Sequence, residues 1–192
     1  MPSNAWRQWH TVRARELDEL EATHAHIGGT GRGRRYATQQ INRAYAVLLA
    51  SQFQGFCRDL HTESVDALIA GVVASIFRPT VRKEYLRNRS LDRGNASPGN
   101  IGTDFNRPGL EFWTLVYTQH AKNQRRRELL EELNAWRNAI AHQDFDSHLL
   151  GGTTVLQLPR VRRWRSSCRG LARFFDRVMR DHIANTTGSV PW

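Results

Sequence analysis

The sequence predicts an all-α protein, a helical bundle of about five to six helices. Three observations carry that prediction. Apolar residues recur every three to four positions through most of the chain. Only residues 153–158 look like a short strand, and nothing evident pairs with them. Gly, Pro, Asn and Ser gather in a few stretches that separate the periodic segments.

Residues 5–26 carry Trp6, Trp9, Val12, Leu17 and Leu20 at near-helical spacing, with charged residues between them. Residues 27–33 end this helix, because Gly28, Gly29, Gly31 and Gly33 would each cost a helix interior about 1 kcal/mol. The next helix starts near Tyr36 and repeats Ile41, Tyr45, Leu48, Leu49, Phe53, Phe56 and Leu60. The pattern resumes at Val65, Leu68, Ile69, Val72, Val73 and Ile76, with a break expected over residues 61–64. Arg78-Pro79 marks a helix boundary. Residues 87–109, rich in Gly, Asn, Ser, Asp and Pro, read as a long loop of the kind that is functional or mobile. Residues 110–120 form a short helix around Leu110, Phe112, Trp113, Val116 and Tyr117. Residues 123–142 form another, with Leu129, Leu130, Leu133, Trp136 and Ile140 inward. Gly151-Gly152 breaks the chain, and the last helix begins after Pro159, a favourable first-turn residue. Its stripe includes Val161, Trp164, Cys168, Leu171, Phe175 and Met179, and residues 185–192 read as a frayed tail. There is no internal repeat and no heptad run.

A chain of 192 residues fits one domain, here residues 1–192 with a helical extension over 1–34. Its 28 Lys+Arg against 18 Asp+Glu give a net charge of +10. Nearly all the positive charge is Arg, Lys83 and Lys122 being the only lysines. Arg makes planar, bidentate phosphate contacts that Lys does not. The excess fits either a nucleic-acid partner or a codon bias toward Arg. Cys57 and Cys168 read as small buried hydrophobes in a reducing cytoplasm. Residues 1–7 have no apolar signal core, and no apolar run reaches the roughly 18 residues a membrane span needs.

The most informative segment is Arg137-Asn138-Ala139-Ile140-Ala141-His142. It joins a permanent guanidinium, suited to phosphate charge, to an imidazole that moves protons near neutral pH. With Arg137 at zero on a helical wheel, Asn138 lies at about 100° and His142 at about 140°. Asn138 and His142 share a face, and Arg137 stands away from both. Two routes bring Arg and His together. The helix ends near Ala141 and swings His142 back, or two copies of the helix meet about a two-fold axis. The bland reading is a cation complementing a helix C-terminus.

This hexapeptide, following an amphipathic helix and preceding a long one, resembles the Arg-x4-His motif of the HEPN superfamily, the all-α "higher eukaryotes and prokaryotes nucleotide-binding" domains. Residues 45–60 and Ser97-Pro98-Gly99-Asn100-Ile101, with Asp104-Phe105 and Gly109, are similar to stretches of bacterial HEPN proteins of the RiboL-PSP-HEPN-like kind. The resemblance implies a dimeric endoribonuclease needing neither metal nor cofactor. Its product would be a 2′,3′-cyclic phosphate with a 5′-hydroxyl. His142 would transfer the proton, Arg137 would stabilise the transition state, and Asn138 would orient His142 or the phosphate. It also implies a toxin or defence effector restrained by an antitoxin or regulatory protein. Other HEPN domains are non-catalytic modules that bind RNA, nucleotide or protein.

Residues 28–35 resemble a phosphate-cradling loop but lack the Gly-Lys-Ser/Thr ending of a P-loop, and read as a linker whose Arg32, Arg34 and Arg35 could touch RNA backbone. Arg125-Arg126-Arg127 and the arginines at 160, 162, 163 and 165 are either solvated helix faces or the flanks of an RNA cleft. His24-Ala25-His26 has no partner residues at metal-ligand spacing.

Overall fold

A computed structural model describes residues 1–27 and 34–192, with the side chains of 1–26 and 37–192. Among these residues the secondary structure is helical throughout: α1 (Asn4–Gln8), a π turn (Trp9–Arg13), α2 (Ala14–Ile27), α3 (Arg34–Val72), α4 (Arg78–Leu86), α5 (Ser90–Arg93), α6 (Pro98–Phe105), α7 (Phe112–Gln119), α8 (Lys122–His142) and α9 (Leu158–Thr187). The all-α bundle is as expected, but the helices outnumber the five or six predicted. The candidate strand at 153–158 is irregular up to the start of α9. The tail is shorter than expected, since α9 runs on to Thr187 and stops at Gly188 in the left-handed region, φ 73°.

Three long helices carry the core. Tyr45, Phe53, Phe56 and Leu60 of α3 pack with Leu130, Leu133 and Trp136 of α8 and with Trp164, Leu171 and Phe175 of α9 in one buried cluster. Ala5, Trp9 and Leu17 join the same cluster, so the N-terminal helices rest on the bundle. In its centre Phe105 stacks on Phe112 at 4.5 Å between ring centroids, and Phe112 meets Phe175 edge-on at 4.8 Å. Cys57 and Cys168 are free and fully buried, and burial pushes both thiols up. No helix among the described residues is long and apolar enough to cross a membrane.

The break expected at residues 61–64 is absent: His61, Thr62 and Glu63 each find a partner along an unbroken α3, and Ser64 is buried with its hydroxyl unpaired among the described residues. The Thr62 hydroxyl donates to the Arg58 carbonyl. The Glu63 carboxylate accepts from the backbone N–H groups of Asn4 and Ala5, holding down the start of α1. His61 is buried and donates through Nε2 to the Asp104 carbonyl at 3.1 Å. The periodicity past Val72 does not extend the helix, and Val72, Ile76 and Phe77 are exposed around the turn into α4. Pro79 lies in the first turn of α4, as its ring geometry favours.

Residues 87–109 are not a long loop. They form α5 and α6, tied to each other by Asp104, whose backbone carbonyl also accepts from His61 of α3. The buried Asp104 carboxylate accepts from the N–H groups of Ser90 and Leu91, each at 2.8 Å, and pairs with Arg107 at 3.3 Å. Ser97 caps α6 and Pro98 opens it. Gly99 and Gly102 disguise the helix in the sequence. At Gly102 an added Cβ would stand 3.2 Å from the Trp113 ring, so the backbone of α6 lies close against that side chain.

Candidate functional site

The motif sits in the last turn and a half of α8. The helix forms because residues 122–135 are strong helix formers, with Arg125–Glu128 and Arg127–Glu131 pairs along its exposed surface. Trp136 anchors it. That ring is fully buried, 6.3 Å from Trp164, with the Arg160 guanidinium 5.5 Å above it. Ala139 is buried beneath the same turn, so the polar motif residues face outward.

The helix does not end at Ala141. It continues through His142, and Gln143 then takes a left-handed conformation, φ 55°. The Asp144 N–H returns to the Ala139 carbonyl at 3.0 Å, closing a Schellman-type cap. This removes the first of the two routes. In a single chain Arg137 and His142 stay on different sides of a regular helix, as five-residue spacing demands.

Asn138 is where the structure adds most to the sequence reading. Its Oδ1 accepts from Arg137 Nη1 at 3.2 Å and from Asn95 Nδ2 at 3.1 Å. Asn95 is held in turn. The Asn100 side chain donates to its carbonyl at 2.8 Å, and buried Asn134 ties the neighbouring Ala96 carbonyl to α8 at 3.0 Å. The amide is therefore fixed with its carbonyl engaged, and its NH₂ is left as a donor. Asn95 could not be assigned from sequence, since its segment reads as loop.

His142 is exposed and makes no hydrogen bond or ion pair among the described residues. It opens on a cavity of about 390 Å³ together with Asn138, Asp144, Asp146 and Leu149. The turn after α8 builds the far wall. Asp146 accepts the His148 N–H at 2.8 Å, while Leu150 is buried and Leu149 is exposed. Asp144 and Asp146 lay outside the sequence prediction. Nothing in their spacing marks them, because the left-handed Gln143 is what folds them back. Arg43 of α3 lies near the same turn, its guanidinium 4.2 Å over the Phe145 ring.

The expected basic cluster at 125–127 is distributed. Arg125 pairs with Glu128 at 2.6 Å and reaches Glu132 at 3.8 Å. Arg126 donates to Asn123 at 2.7 Å and lies over the Phe174 ring. Arg127 reaches Glu131 at 3.7 Å and covers Trp113. Arg160 pairs with Glu132, Arg162 with Glu21, and Arg165 with Asp18 and Glu21. Arg32 lies outside the described residues. Arg34 and Arg35 open α3, with side chains outside the described set. No cluster of three or more His, Cys, Asp or Glu suited to a metal ion occurs among the described residues.

The motif turn thus offers a free imidazole, a fixed amide donor and a guanidinium on the adjacent flank, beside a cavity large enough for a base. Comparison with family models, with curated proteins and with solved structures finds no match.

Proposed function

We propose that the chain is an endoribonuclease of HEPN type, metal-independent and working as a homodimer. The observation that carries this reading is the exposed Asn138–His142 face of α8, opening on a cavity, with Arg137 hydrogen-bonded to Asn138 beside it. In the reaction, the imidazole of His142 takes the proton of an RNA 2′-hydroxyl. That oxygen forms a bond to phosphorus, and the P–O5′ bond breaks. The leaving 5′-oxygen takes a proton, giving a 5′-hydroxyl and a 2′,3′-cyclic phosphate. Arg137 and the Asn138 NH₂ stabilise the charge on the phosphorane oxygens. Because Arg137 and His142 diverge on one helix, the reading requires a second copy to complete the cleft. A partner protein that occludes the motif face would restrain such an enzyme.

A non-catalytic module for RNA, nucleotide or protein is the second reading. What favours it is that same divergence, with many of the arginines already paired to carboxylates. The two are separated by incubating purified chain with structured and single-stranded RNA and determining the ends. Cyclic phosphate ends from wild type, absent with His142→Ala, support the ribonuclease. Intact RNA under every condition, with binding retained, establishes the module.

A further inference from the structure

A second cavity, of about 490 Å³, lies between the π turn and α9. Trp9, His10, Ala14 and Asp18 form one wall, and Arg162, Arg165, Ser166 and Arg169 form the other. The latter four positions are spaced i, i+3, i+4, i+7, which puts them on a single face of α9. The π turn and the start of α2 make the opposite wall. Trp9 points into the core, 5.6 Å from Phe53, while His10 turns aside and stacks on Trp6 at 4.0 Å. Such single π turns inside α-helices are frequent at functional sites.

The polar groups in this cavity divide into two sets. Arg165 is committed to Asp18 at 2.6 Å and to the Tyr45 hydroxyl at 3.0 Å, and Arg162 to Glu21 at 2.6 Å. Arg169, Ser166 and His10 form no hydrogen bond or ion pair among the described residues. Three residues with donor groups thus line one space, one permanently charged and one able to take a proton. Burial, and then the Arg169 charge, hold His10 below its ordinary range. A bound anion would reverse the second effect.

We propose that this cavity binds a terminal phosphate, the phosphate monoester of a mononucleotide or of an RNA 5′ end, gripped by Arg169, Ser166 and His10. A monoester presents three terminal oxygens and close to two negative charges, which match three donors and a guanidinium–imidazole pair. A diester presents two oxygens and one charge and leaves a donor unused. The site does not depend on the ribonuclease reading.

Calorimetric titration of the full chain tests it, with inorganic phosphate, adenosine 5′-monophosphate, adenosine, and short RNA bearing either a 5′-phosphate or a 5′-hydroxyl. Saturable binding of the monophosphate and of inorganic phosphate, without adenosine, identifies a free-nucleotide source. Binding only of the 5′-phosphorylated RNA identifies an RNA end. In either case Arg169→Gln should weaken affinity at least ~10-fold, the loss expected for one charged hydrogen-bond pair. Arg169 is exposed, so its thermal unfolding midpoint should match wild type. Ser166→Ala serves as a second variant should the first unfold. No saturable binding of any phosphorylated probe, equal binding of the 5′-hydroxyl RNA, or unchanged affinity in both variants overturns the proposal.

Discussion

At the scale of single residues, two histidine environments divide the chemistry. His142 is exposed and makes no hydrogen bond among the described residues, so its imidazole is accessible for the proposed proton transfer. Replacing it with Ala should lower RNA cleavage ~10²–10⁴-fold, the usual contribution of a general base, with an unchanged circular dichroism spectrum. Arg137→Lys should lose ~10²–10³-fold, because the ammonium cannot both hold Asn138 and fork onto phosphate. Full activity in either variant removes that residue from the mechanism. His61 is the opposite case. It is fully buried, its Nε2 is engaged and its Nδ1 has no partner among the described residues. Burial, with the Arg89 charge adding to it, pushes its pKa down to about 4 from 6.5. Below pH 6.5 the unfolded chain takes a proton that the folded chain refuses, so stability present at neutral pH is lost as pH falls through that window. The expected loss reaches about 3 kcal/mol by pH 4. Urea unfolding midpoints should slope across that range in wild type and flatten in His61→Gln, which keeps a side-chain donor. An equal slope in the variant would place the acid sensitivity elsewhere.

At the scale of elements, the long helices were legible in the sequence and the short ones were not. Residues 123–142 and the stripe after Pro159 show their helical period because each buries a wide apolar face. α5 and α6 are only four and eight residues long, too short to repeat an apolar period, and Gly99 and Gly102 lower local propensity. Only Ser97-Pro98 announced a helix start there. Residues 61–64 misled in the other direction, since polar residues inside a helix resemble a boundary until the partners they serve, Asn4, Ala5 and the Asp104 backbone, are in view. The π turn was likewise invisible. Its extra residue shifts the inward face, so Val12 is 48% exposed while Arg13 crosses Gly55 to reach Gln52 and Asp59. Asn138 and His142 could be placed on one exposed face from spacing alone, but Asn95 could not, because it arrives through the 94–97 segment. Gln54, Asn100 and Asn134 hold the carbonyls of Gly94, Asn95 and Ala96, and Asp104 ties α5 on one side of that segment to α6 on the other. Asp104→Ala would strip two buried N–H groups of their acceptor and unpair Arg107, costing about 3 kcal/mol. For a chain of this size that is a fall of ~10 °C in Tm, measured by calorimetry. Asn95→Ala should leave Tm nearly unchanged yet reduce cleavage, since it touches only the Asn138 carbonyl. A large Tm loss there would mean the segment is held chiefly by Asn95.

At the scale of the whole molecule, the question is how one guanidinium and one imidazole on opposing sides of a helix can act on one phosphate. α8 continues regularly through His142, so no local distortion unites them. A two-fold axis beside the motif would place each His142 near the partner's Arg137. Leu149 is 74% exposed and Val155 51% exposed, and both follow the motif on the segment leading into α9. The expected species in solution is a homodimer with the two motif helices facing one another. Leu149→Asp should shift sedimentation toward monomer and lower cleavage in step. The stronger test mixes two inactive variants. His142→Ala keeps its arginine, and Arg137→Ala keeps its histidine. If the cleft draws one group from each subunit, co-refolded mixtures recover part of the wild-type rate, while each variant alone does not. If both groups come from one chain, no mixture recovers, and the divergence seen on α8 would have to be resolved by a conformational change within the monomer. A fully active monomer in the ultracentrifuge would likewise end the composite-site account, because a single helix cannot bring these two side chains to one phosphorus atom.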